Sequence, residues 1–191
     1  AERDADKIHA VISGIGLSND GRGQFVLSPN SKGQVLAYQR AYESSKVPPE
    51  KIDYIECHAT GTPLGDKVEL DSMEQFFASP DLPEVKKIKP LIGSAKSNLG
   101  HMLTAAGMGG MIKVILALQH GEIPATRGVK AAMTSKNGGV SEKQIVQKKV
   151  PNLENPPKST HGRVKSIECF HGFRCISMDF GGFSGSGTFS F

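Results

Sequence analysis

Cysteine is scarce. Cys57, Cys169 and Cys175 are the only three in 191 residues, too few and too oddly spaced for a disulfide framework, so a reducing, cytoplasmic setting is the expectation. Long apolar runs are also missing: the longest, Met111 to Leu118, is broken by Lys113 and falls far short of the roughly 18 residues a membrane span needs. The opening Ala1-Glu2-Arg3-Asp4-Ala5-Asp6 is charged throughout, so no signal peptide is expected there. No His-Glu-x-x-His zinc pair is present, and Gly61-Thr62-Pro63-Leu64-Gly65-Asp66-Lys67 places three residues between its glycines where a phosphate-binding P-loop has four. Cys169-Phe170-His171 with Cys175 offers metal-ligand types, but no fourth ligand stands nearby. No metal is expected.

Enough apolar residues remain for a core. Counting the 22 Gly and leaving aside the 3 Tyr, about 48% of the chain is apolar, inside the range of ordinary globular domains. The net charge of +4 is unevenly placed: residues 127–174 carry ten Lys and Arg against three Glu. A basic stretch of this kind suits an acidic partner, or simply a solvated loop.

Ile8 to Leu17 reads as a buried strand closed by Ser18-Asn19-Asp20-Gly21. Val35, Leu36, Tyr38 and Tyr42 recur at helical spacing over 32–46, ahead of Pro48-Pro49. A short strand follows at 52–57, a helix at 66–78, a strand at 91–95 and the longest helix at 103–119. Strands alternating with helices predict an α/β layer architecture with parallel pairing. The chain divides into a core over 1–126, an irregular basic insertion over 127–162, and terminal strands with a Gly-rich loop over 163–191.

Two loops each follow a strand and precede a helix: Ile55 to Asp66, and Ser94-Ala95-Lys96-Ser97-Asn98-Leu99-Gly100-His101. Ligands of open α/β sheets collect at the carboxyl ends of strands, and each loop offers one histidine among hydroxyls, amides and glycines. Glu56-Cys57-His58-Ala59-Thr60-Gly61-Thr62, followed by Gly65-Asp66 and Glu69, resembles the E-x-H-G-T-G-T-x-x-G-D-x-x-E signature of β-ketoacyl synthases. Lys96-Ser97-Asn98-Leu99-Gly100-His101 with Ala105-Ala106-Gly107 resembles that family's K-x-N-[IL]-G-H…A-A-G block, and His120-Gly121-Glu122-Ile123-Pro124 continues the likeness. The order is right, and the texture is closest to the ketosynthases of polyketide and polyunsaturated fatty acid synthases.

The resemblance implies a thiolase-like α/β fold, of which this chain supplies roughly the C-terminal half, one sheet with its helices. The implied reaction is decarboxylative condensation of a malonyl-type extender with an acyl chain, both carried by acyl carrier protein. His58 and His101, as neutral imidazoles, would hold the enolate oxygen, and Lys96, paired with Glu69, would hold the His101 loop. Thr60 and Thr62 would bond the phosphopantetheine arm, Phe183 (or Phe180) would gate the pocket, and Asn98 would support the site. No tightly bound cofactor is implied beyond that carrier arm, and no nucleic acid.

Three departures stand out. The glycine after the first histidine is Ala59, a small change expected to be tolerated. The terminal G-F-G-G-T-N loop survives only as Phe180-Gly181-Gly182-Phe183-Ser184-Gly185-Ser186. The nucleophilic cysteine is missing, and Cys57, adjacent to His58 along a strand, should face away from it. An N-terminal half carrying that cysteine is therefore the implied partner, in a homodimer when complete, with this fragment inactive by itself. Two alternatives are a non-catalytic chain-length-factor-like partner and a thiolase-type acyltransferase fragment.

Overall fold

The computed structural model describes residues 2–21, 28–77, 90–148, 150–151, 164–170 and 174–180; Glu2, Glu50 and the last three stretches are described by backbone alone. Among the described residues, seven strands and four α-helices follow one another as β1 (Val11–Leu17), α1 (Ser31–Ser45), β2 (Tyr54–Glu56), α2 (Pro63–Phe77), β3 (Leu91–Gly93), α3 (Lys96–Leu99), α4 (Ala106–His120), β4 (Glu122–Ile123), β5 (Val150–Pro151), β6 (Val164–Phe170) and β7 (Arg174–Phe180). Five strands form one sheet in the order β1-β7-β6-β2-β3, and β4 pairs with β5 apart from it.

The sheet is mixed, which corrects the expectation of parallel pairing throughout. β2 runs parallel to both β3 and β6, but β6 and β7 pair antiparallel, Phe170 opposite Arg174, and β7 pairs antiparallel with β1. Only three residues separate β6 from β7, and so short a link cannot make the crossover that parallel strands require.

Alternation along β2 sorts the core. Ile55 faces a cluster with Tyr38, Ala41, Ile52, Leu70 and Met73, built on α1 and α2. Tyr54 faces the opposite way, onto Val114 and Ala117 of α4. Successive strand side chains point to opposite faces, so a single short strand nails helices to both sides. Tyr38 stacks on Phe76 with centroids 5.4 Å apart, tying α1 to α2 beyond simple area burial.

β1 departs from the buried strand expected of Ile8 to Leu17. Val11, Ile12, Ile15 and Leu17 are each at least 41% exposed, whereas Gly14 and Gly16 form the buried face. A Cβ on Gly16 would stand 1.9 Å from the Ala37 carbonyl oxygen. Helix α1 lies on a strip without side chains, and Ile15 and Leu17 alternate onto the opposite face of β1.

Helix α2 begins at Pro63 rather than Asp66, because proline is at home in a first turn whose N–H groups have no intrahelical acceptor. Leu103–Ala105 forms a separate 3-10 turn, and α4 starts only at Ala106. Leu103 holds φ +48°, outside helical space, so one continuous helix from 103 is blocked.

The described part of the basic insertion, 127–148, is strapped to α2. Lys67 Nζ donates to the Thr134 carbonyl at 3.1 Å, Asp71 accepts the Lys136 amide at 2.6 Å, and Glu74 accepts the Asn137 and Gly139 amides. Among the described residues no helix is long and apolar enough to cross a membrane.

Candidate active site

Both histidine loops leave the carboxyl edge of the parallel strands β2 and β3. Their rings meet: His58 and His101 lie with centroids 5.4 Å apart and planes at 84°, although 42 residues separate them in the chain. His58 is half-buried and His101 exposed. His101 Nδ1 accepts the Leu103 amide at 3.1 Å. An imidazole whose Nδ1 is an acceptor is neutral and carries its proton on Nε2, which leaves Nε2–H as the donor this ring can offer. Met102, at φ −76° and ψ 24°, is the bend that brings the Leu103 N–H back onto the ring.

The His58 loop is held from beneath. Glu69, buried on α2, accepts the His58 amide at 2.7 Å and the Ala59 amide at 2.8 Å, one on each carboxylate oxygen. Burial is the largest influence on Glu69 and lifts its pKa from 4.5 to about 6; the Ala59 and His58 amides and the Lys96 charge pull the other way. Glu69 therefore fastens the His58 loop through two amides, in addition to the Lys96 charge that the sequence paired with it. Lys96 acts on it through charge, as the smallest of these influences.

Between pH 4.5 and about 6 the folded chain binds more protons at Glu69 than the unfolded chain does. The stability Glu69 contributes is thus greatest below pH 4.5 and declines by roughly 2 kcal/mol as pH rises to about 6, then levels off. Comparing unfolding free energies of the wild type and Glu69→Gln across pH 4 to 7 should show the wild type losing roughly 2 kcal/mol more than the variant. A pH-independent difference would contradict it.

Ala59 sits at φ +27°, where an L side chain is strained and glycine is not. Its substitution for the family's glycine is therefore less innocent than its size suggests. Ala59→Val, β-branched at a positive φ, is expected to cost about 2 kcal/mol in urea unfolding; a loss below about 0.5 kcal/mol would show that the loop relaxes instead.

The remaining predicted residues fall as follows. Thr60 and Thr62 are exposed, with hydroxyls 3.3 Å apart. Asp66 accepts the Gly61 amide at 3.2 Å, and burial holds its carboxyl above the usual range against the amides of Gly61, Thr60 and Thr62. Asn98 Nδ2 donates to the Ala125 carbonyl at 3.3 Å, and Ser97 Oγ accepts the Arg127 amide at 3.0 Å, so the His101 loop is tied to the chain after β4. Phe183 lies outside the described residues, and Phe180 ends β7.

A cavity of about 680 Å³ opens between the loops; Cys57, Thr60, Lys96, His101, Thr126 and Met133 are among its walls. Cys57 lines it and His58 does not. The Cys57 thiol is pushed well up by burial and by the charges of Glu69 and Glu56, so it stays protonated and is a poor nucleophile. No group of three or more metal-ligating side chains occurs among the described residues.

Sequence reading missed one cluster. The Glu56 carboxylate accepts from Tyr54 OH at 2.7 Å, from Lys113 Nζ at 2.7 Å and from the Ala95 amide, and Lys113 also donates to Tyr54 OH at 2.8 Å. The Lys113 and Glu56 side chains are only 8% and 5% exposed. A signal was available: Lys113 is the one charge inside Met111 to Leu118, and Glu56 ends a short apolar strand. A charge embedded in an apolar run needs a partner.

The α/β fold thus brings two histidines together at the ends of its parallel strands. Residues 9–130 match the profile of "Beta-ketoacyl synthase, C-terminal domain", and the chain belongs to that family. It is 35% identical over 170 residues to one component of the phenolphthiocerol/phthiocerol polyketide synthase of Mycobacterium tuberculosis, covering 89% of this chain and 9% of that protein. It is 43% identical over 129 residues to one component of the polyunsaturated fatty acid synthase of Thraustochytrium sp., covering 68% and 5%. The solved structure "PfaC Keto synthase-Chain length factor" superposes with a TM-score of 0.82 at 46% identity, covering 96% of this chain and 19% of that one. The chain thus spans less than a tenth of the length of these curated relatives.

Proposed function

We propose that the chain is the C-terminal half of a ketosynthase that condenses a malonyl-type extender with an acyl chain, both delivered on the phosphopantetheine arm of an acyl carrier protein. A cysteine of an N-terminal half takes the acyl group from its carrier, releasing the carrier thiol. The malonyl thioester then loses CO2, and the electron pair of the broken carbon–carbon bond passes to the thioester oxygen as an enolate. His58 and His101 each aim an N–H at that oxygen. The enolate carbon attacks the acyl-cysteine carbonyl, the cysteine thiolate leaves, and a β-ketoacyl chain remains on the carrier.

The observation that carries this reading is the ring pair, with His101 fixed in its Nε2–H form. Preorganised donors facing the position where charge develops are worth about 3 kcal/mol each. Lys96 supplies positive charge beside them, Thr60 and Thr62 bond the carrier arm, Glu69 and Asn98 hold the loops, and Phe183 gates the pocket. Leu99 and Leu103, either side of His101, are 60% and 78% exposed. Apolar surface flanking a reactive pair fits a chain that works under a covering half. The full enzyme is a cytoplasmic homodimer in this reading, and the isolated fragment is inactive.

The test is reconstitution: a complete ketosynthase carrying this chain, an acyl carrier and a malonyl carrier, with product and CO2 measured together. A β-ketoacyl carrier formed with one CO2 released per product is expected. Product without CO2 would favour a thiolase-type acyltransferase. A chain-length-factor-like role, which the name of one structural relative brings to mind, predicts that neither histidine matters to the rate.

Carrier docking is assigned to the basic stretch from Arg127, with Lys130, Lys136, Lys143, Lys148 and Lys149 as contacts. Exposed charges steer association and are screened beyond about 8–10 Å at physiological salt. Changing Lys143, Lys148 and Lys149 together to Gln should slow carrier association several-fold at low salt and little at high salt. An unchanged rate at low salt removes this stretch from the docking surface.

A further inference from the structure

We propose that Glu56, clamped by Lys113 and Tyr54, is a positioning residue that sets the direction of the His101 loop through the Ala95 amide. The proposal rests on the condensing role proposed above for His101.

Ala95 is the residue from which α3 starts: the Asn98 and Leu99 amides donate to its carbonyl at 2.9 and 3.0 Å. α3 is a single turn of four residues, too short to hold its own direction, because helix nucleation is unfavourable without outside support. Its far end passes through Gly100, at φ +78°, straight into His101. The hold on the first residue of that turn therefore helps to aim the ring, alongside the Asn98 and Ser97 bonds to the chain after β4. Glu56 holds it, on the α4 face of β2, and its remaining acceptor capacity goes to Lys113 and Tyr54.

The energetics argue against a stabilising purpose. Burying a carboxylate and an ammonium costs several kcal/mol per ion, and an apolar pair of similar volume often does as well or better for stability. What an apolar pair lacks is an acceptor for the Ala95 N–H. Helix α4 closes on Glu56 from the other side, since a Cβ on Gly110 would stand 3.0 Å from Glu56 Cγ. The carboxylate is thus fixed by a strand, a helix and two polar side chains, and it passes that fixity to one backbone amide.

The experiment has two readouts. In the full chain, the 15N shifts of the His101 imidazole report its tautomer: the wild type is expected to be Nε2–H throughout, and Glu56→Ala a mixture of both tautomers. In the complete enzyme, acyl loading counts folded, competent sites, and condensation is expressed per loaded site. A positional error of about 1 Å can cost on the order of 100-fold, so Glu56→Ala is expected to lower kcat per loaded site by about 10- to 100-fold with KM for the malonyl carrier little changed. Glu56→Gln combined with Lys113→Met keeps an acceptor for Ala95 and leaves no charge unpaired, so it should recover most of the rate. It also serves as the folded comparison where Glu56→Ala is unstable.

An unchanged His101 tautomer overturns the proposal. So does full-rate condensation per loaded site in Glu56→Ala when His101→Ala is slow. If the tautomer shifts but His101→Ala condenses normally, the donor role of His101 fails while the hold of Glu56 on its loop stands.

Discussion

His101→Ala, in a complete ketosynthase carrying this chain, is expected to lower condensation by about 100- to 1,000-fold, the effect of removing one preorganised oxyanion donor. Acyl loading onto the cysteine should continue at a measurable rate. The two half-reactions draw on different groups: loading needs a nucleophile and a site for its own tetrahedral oxyanion, whereas the enolate needs the imidazole N–H groups. The structure makes this variant clean. His101 is exposed, and of the two partners described for it, one is the Leu103 amide and the other the ring of His58, so little packing is lost with the side chain. A variant that loads and condenses at near-normal rates would show that His101 is not a donor.

The second large effect concerns the fold. Gly16→Ala should destabilise the chain by about 3 kcal/mol, the upper range for overpacking. The added methyl would meet backbone, not flexible side chains: the Ala37 carbonyl oxygen at 1.9 Å and the Ala41 amide nitrogen at 2.6 Å. Neither can move unless α1 lifts from β1. Ile15→Ala, one residue away on the opposite face and 51% exposed, should change the stability of this chain far less. Urea midpoints of the two variants test the comparison, and equal losses would mean that the glycine strip is not the helix seat.

The site was largely legible in the sequence because its chemistry is local. Each histidine sits inside a block whose glycines and hydroxyls follow one strand, and the two blocks meet because β2 and β3 are parallel neighbours. What sequence order could not supply were relations made by packing. Sequence order paired Glu69 with Lys96, whose charge does act on it, but not with the amides of His58 and Ala59 that its two oxygens accept. β1 looked buried because its residues are apolar; its glycines occupy the inner face, and its neighbour β7 lies more than 150 residues further along the chain. The tie between Leu103 and His101 depends on the backbone turn at Met102, which its residue type does not announce.

One measurement bears most directly on the account: CO2 release from a malonyl carrier, with acyl loading recorded beside it, for the wild type, His58→Ala, His101→Ala and the double variant. If the two rings act as one oxyanion site, each single change lowers CO2 release by about 100- to 1,000-fold, and the double change costs far less than the product of the two, as groups acting as a unit do. Loading persists in all four. CO2 release near the wild-type rate in either single variant would contradict the shared role of His58 and His101.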